Sequence, residues 1–188
     1  MRKLTGTIFA VALLVAGAAQ AAELIQANAV RLGPGSQSSF LKVVLDRYST
    51  DAERAQWRAA FETGGQDGLI AKWQEENPRV GTLSFTGTIG YQIRAAVSVP
   101  TEKGRRVYLA TDRRIRGFEV RNATRSEDYP VGWVQLEVDA EGKGSGEMVG
   151  AAQLSIQDGQ LVVASQGTEN IRLLNVTIKE MKDKDKDK

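Results

Sequence analysis

The apolar positions change their period along the chain. In SSFLKVVLDRY, Leu41, Val43 and Leu45 recur at every second residue, which puts them on one face of a strand. With the stretch from Glu23 to Leu32 and the GPG turn between them, they predict an opening pair of strands. After Thr50 the period lengthens. Trp57 and Phe61 stand at i and i+4, and Leu69 or Ile70 repeats the spacing with Trp73. Thr50 and Glu53 form a capping box, in which each side chain satisfies an amide left unpaired at a helix start. Gly64 and Gly65 break the run and Pro78 ends it, so the spacing predicts a helical hairpin over about 50–77. The tryptophans are expected to anchor that hairpin on a sheet.

From Val80 onward the period is two. VGTLSFTG, YQIRAAVSV, RRVYLATD, GFEVRNAT, GWVQLEV, GEMVGAAQLSI, QLVVAS and NIRLLNVTI follow one another with short polar links, and Asp158-Gly159 is a hairpin turn signal. The fold predicted is mainly β, an antiparallel meander closing into a β-sandwich or barrel, with the helical hairpin inserted after the early strands. With PTEKG as a loop, pairing Val97 with Val107 and Ala95 with Leu109 keeps the apolar side chains on one face. GFEVRNAT is expected as the next strand, with Val120 opposite Leu109 and Phe118 opposite Thr111.

The two ends read differently. Arg2 and Lys3, the apolar run Ile8 to Ala16 and the small-x-small triplet Ala19-Gln20-Ala21 make residues 1–21 an export signal, with cleavage expected after Ala21. The apolar run is too short to span a bilayer, which takes about 20 residues, so no transmembrane segment is expected in the mature chain. Residues 22–178 are read as one β-rich domain. Residues 179–188, alternating Lys and Asp, are read as a disordered charged tail. Localisation is thus expected to be periplasmic or secreted.

Composition narrows the chemistry. Cleavage removes Arg2 and Lys3 and leaves equal numbers of basic and acidic residues, 23 of each, so the charge balance implies no nucleic-acid partner. The chain holds no histidine and no cysteine, which removes the usual neutral-pH base, thiol nucleophiles and the commonest metal ligands. No cofactor or metal site is predicted. SFLK matches S-x-x-K, but on a strand Ser39 and Lys42 fall on opposite faces. GKGSGEMVG lacks the order of a phosphate loop and reads as a glycine-rich hairpin. DKDKD lacks the glycine and closing glutamate of a calcium loop. Asp46, Asp112, Glu119, Asp128 and Glu137 are the candidates for carboxylate-only hydrolysis.

The densest polar feature is ATDRRIRGFEVRNATR, with five arginines between Ala110 and Arg125. The expected strands divide the arginines of this region between two tips about 25 Å apart and a mixed-charge outer face, where Glu119 lies near Arg94 and Tyr108 opposite Arg121. Arg113, Arg114 and Arg116 gather at one tip beside a single acid, Asp112. They are the candidate site for an anionic group.

TDAERAQW, GGQDGL, VGTLSF, LATDRR, EDYPVGWVQLEV and IRLLNV together resemble a group of small exported bacterial proteins without an assigned activity, over about Leu24 to Val176. The resemblance implies a compact β-rich exported domain and brings no ligand or catalytic residue with it. Two functions follow as expectations. One is a non-catalytic binding or envelope-associated module, using the barrel interior or the arginine tip, with an anionic lipid, polysaccharide or envelope component as partner. The other is a small carboxylate-based hydrolase acting outside the cytoplasm.

Overall fold

The computed structural model describes residues 22–31, 37–115, 129–157, 160–165 and 171–181. Along them run β1 (Glu23–Arg31), β2 (Gln37–Leu45), α1 (Asp51–Glu76), β3 (Gly81–Phe85), β4 (Tyr91–Thr101), β5 (Gly104–Thr111), β6 (Val131–Asp139), β7 (Lys143–Gln157), β8 (Gln160–Ser165) and β9 (Ile171–Glu180). Strands β1 to β7 pair in sequence order, all antiparallel. β9 then joins β7 to β1 and closes an eight-stranded barrel. Of the two architectures expected, the chain builds the barrel. β8 stands outside the ring, extending the C-terminal half of β7 as a hairpin in which Gln157 faces Gln160.

Alternation selects the inner face. Ile25, Ala27 and Ala29 of β1 point inward with Leu41, Val43 and Leu45 of β2, and Val134, Leu136 and Val138 of β6 join them in one packed cluster. Burying each large aliphatic side chain stabilises the fold by roughly 1.5–3 kcal/mol. Glycines let strands touch where the barrel turns tightly. A Cβ on Gly144 or Gly146 of β7 would overlap the carbonyl oxygens of Glu137 and Gln135 on β6.

Both barrel ends are shut by side chains. At the end where β5 finishes and β6 begins, Ile115 is buried in the space left by Gly132, and its amide donates to the Gly150 carbonyl at 2.8 Å. At the opposite end, Tyr48 packs on the core and its hydroxyl donates to Glu23 at 2.7 Å. Between these ends the inward-facing side chains form the packed core.

α1 covers the outer face of β4 to β8 near the Ile115 end, where Trp57, Leu69 and Trp73 pack with Ala110, Val131, Ala152 and Leu154. Its start carries the complete Thr50–Glu53 capping box, and its end has Asn77 in the left-handed conformation with the amide bonded to the Trp73 carbonyl. Inside it, Gly65 has φ 60° and ψ −152°, a conformation that only glycine adopts readily. The chain doubles back there. The Trp57 and Trp73 rings meet edge-on at 5.9 Å, where a straight helix would hold them about 24 Å apart. Gly68 rests so close to the Ala60 carbonyl that a Cβ would stand 2.6 Å from its oxygen.

Three details differ from the sequence reading. Ala96, rather than Ala95, faces Leu109, and Val97 faces Tyr108, because a register shift between Ile93 and Ala95 moves β4 by one residue. β5 pairs with β6, so Leu109 faces Val134 and Thr111 faces Gly132, the places expected of Val120 and Phe118. GFEVRNAT itself lies outside the described residues. Lys179 and Glu180, expected in the tail, belong to β9 and pair with Leu24 and Glu23.

Candidate functional site

The arginines of the dense stretch and its flanks sort by what they touch. Arg94 on β4 donates to Asp112 at 2.9 Å, in a pair whose side chains are each 13% exposed, and also to the Asn77 side chain and the Pro78 carbonyl. Asp112 thus takes the place expected of Glu119, which lies outside the described residues. Arg105 at the start of β5 bonds Glu23 at 2.8 Å and the Tyr48 hydroxyl at 3.3 Å. Arg106 reaches Glu137 at 3.4 Å. Each of these three cations is met by a carboxylate.

Arg113 and Arg114 are different. The turn after β5 carries them, fixed by the Thr111 hydroxyl, which donates to the Arg113 carbonyl at 2.6 Å. Arg113 is exposed. It donates to the Gly90 carbonyl at 3.2 Å and lies over the Tyr91 ring at 5.0 Å. Arg114 is half-buried and donates to the Tyr129 carbonyl at 2.8 Å. Among the described residues neither forms an ion pair, and each guanidinium has further donors for a ligand. The two side chains flank the turn on opposite sides instead of converging on one point. Arg116, the third residue of the expected tip, lies outside the described residues.

The other candidates separate. Ser39 and Lys42 stand on opposite faces of β2, and Ser84 rather than Ser39 reaches the Lys42 carbonyl. Asp112 follows Thr111, which faces Gly132 near the start of β6, while Glu137 lies toward the other end of β6, about 20 Å away by strand rise. That exceeds the roughly 5–9.5 Å of a glycosidase pair. Asp46 uses its backbone amide on the Val80 carbonyl, and Asp128 lies outside the described residues. A surface hollow of about 370 Å³ is lined by Asn28, Ser38, Ser39, Phe40 and Thr86.

Sequence reasoning missed the Glu23–Tyr48–Arg105 group. Burial, reinforced by the Glu23 carboxylate, pushes the Tyr48 hydroxyl well above its ordinary 10, so it stays protonated and donates. Only a barrel closed through β1 brings these residues together. It also missed Ile89, which is 92% exposed in the β3–β4 turn beside Arg113. The signal was a lone apolar residue within the turn sequence TGTIG.

The class these features define is a closed, side-chain-filled antiparallel β-barrel with a helical cover on one flank and, at one end, two arginines that form no ion pair among the described residues. No helix among the described residues is long and apolar enough to cross a membrane. No protein family matches the sequence, and no curated protein or solved structure is found similar to it.

Proposed function

We propose that this chain is an exported, non-catalytic binding module of the bacterial envelope, which takes anionic groups at the barrel end bearing Arg113 and Arg114, with Arg116 next along the chain. The observation that carries this reading is the sorting of the arginines. Arg94, Arg105 and Arg106 each meet a carboxylate, whereas Arg113 and Arg114 meet carbonyl oxygens and a ring, with no carboxylate against them among the described residues. Ile115 and Tyr48 close the interior, which favours the rim over the lumen. The leader Met1–Ala21 and the resemblance to small exported bacterial proteins support export.

The test is a binding screen. Wild type and the variant Arg113→Ser/Arg114→Ser/Arg116→Ser are measured against anionic lipid, anionic polysaccharide and inorganic phosphate at low and moderate salt. The Debye length is about 10 Å at 0.1 M salt, so wild-type binding should weaken as salt rises, and the variant should lose it. Exposed charges add little to stability, so the variant's melting temperature should hardly change. Equal binding by the variant, or no binding by wild type, overturns the reading.

A further inference from the structure

We infer that the Arg113 end of the barrel docks on an anionic lipid bilayer, with the side chains of Ile89, Ile156 and Leu161 entering the headgroup boundary. The inference rests on the anion-binding reading above and names its target.

The exposed apolar side chains are unevenly placed. Among the described residues the large ones are Phe40, Ile89, Val99, Ile156, Leu161 and Leu174. Strand directions put all but Val99 in the half of the molecule that ends at Arg113. Ile89 tips the β3–β4 turn at that end, and it is 92% exposed. Ile156 and Leu161 face each other across the β7–β8 hairpin, which runs past the first residue of β6. Helical cover reaches this hairpin at Gln66, whose side chain accepts from the Leu154 amide at 2.7 Å. Beyond that point Ile156 and Leu161 are 45% and 49% exposed. Phe40 and Leu174 flank Asn28 on the outer wall, within about 10 Å of the strand ends at the rise of a β-strand.

Charge at this end matches the same target. Arg113 is tied to the Ile89 turn through Gly90 and Tyr91, so a cation and an apolar tip are presented together. Asp112 is neutralised by Arg94. Arg31 and Arg172 stand at the same ends of β1 and β9, where Arg172 faces Glu147 in the register. A soluble phosphate or a polysaccharide would use the guanidiniums and leave the aliphatic side chains in water. An anionic bilayer uses both, with phosphates on the arginines and acyl chains on the apolar tips.

The experiment is vesicle co-sedimentation of the full chain with its leader removed. Vesicles of phosphatidylglycerol mixed with phosphatidylcholine are compared with pure phosphatidylcholine, and dextran sulfate serves as the soluble polyanion. Wild type should bind the anionic vesicles in preference. Ile89→Asp should lower vesicle affinity about ten-fold or more, the effect of losing one buried aliphatic side chain, and leave dextran sulfate binding unchanged. Leu161→Asp should behave likewise. Arg113→Ser should weaken both ligands, and Val99→Asp at the opposite end should alter neither. If wild type binds dextran sulfate but not vesicles, bilayer docking is wrong and anion binding stands. If wild type binds neither, both fail. Vesicle binding by Ile89→Asp and Leu161→Asp equal to wild type also overturns the docking.

Discussion

Arg47 and Glu53 show how one residue pair joins strand to helix. The guanidinium donates to both carboxylate oxygens, at 2.8 and 2.7 Å, while Glu53 also accepts from the Thr50 amide that it caps. The bond from Arg47, aided by Thr50 and opposed by burial, holds Glu53 at about 2, below its ordinary 4.5. A depressed carboxyl contributes stability that is complete above about pH 4.5 and lost as pH falls toward 2. Urea titrations of wild type and Glu53→Gln should therefore differ near neutral pH and converge over that acid range. A gap that stays constant with pH would contradict the linkage. Trp57 is the second residue to test. It is 5% exposed, meets Trp73 edge-on and donates from its indole to Glu76 at 3.1 Å. Trp57→Ala should cost about 3–5 kcal/mol in denaturant titration; a loss below about 0.5 kcal/mol would mean that the ring is not buried in solution.

Among the elements, α1 depends on a single glycine. Gly65 has positive φ, whereas Gly64 keeps helical angles and has open space where a Cβ would stand. Gly65→Ala should destabilise the protein by about 1–3 kcal/mol, and Gly64→Ala should stabilise it slightly, by about 0.4–1 kcal/mol. Equal effects in thermal melts would show that the chain does not double back at Gly65. The capping box and this break were legible in the sequence, since both rest on residues close together along the chain. The register of β4 was not. In RAAVSV three apolar residues stand in a row, so either phase satisfies alternation. Packing chose Ala96 for the interior, where the Ser49 hydroxyl accepts from its amide at 3.0 Å. The neighbour of β5 was equally hidden. GFEVRNAT and GWVQLEV both offer an alternating face, and β6 takes the edge with eight successive pairs from Gly104–Asp139 to Thr111–Gly132.

For the whole molecule, closure is made by β9 against β1 and finished by the Met181 amide on the Ala22 carbonyl at 2.7 Å. Deleting residues 182–188 should leave the melting temperature almost unchanged, since it spares every one of these bonds. Deleting residues 179–188 should lower it by several degrees, because it also removes two paired strand residues and the closing bond. Indistinguishable melting curves would show that closure does not depend on the end of β9. The sequence by itself determined which residues of β2 share the inward face, where the helix starts and where it breaks. Those features follow from side-chain alternation and local hydrogen bonding. It also placed Arg105 and Arg113 at opposite ends of one strand. Only the tertiary structure decided which of them meet a carboxylate. Arg105 is neutralised by Glu23, 82 residues away, and Arg94 by Asp112 across a strand pair, while Arg113 and Arg114 meet carbonyl oxygens. Such partners are set by how the ring closes, and ring closure joins segments that no local pattern connects.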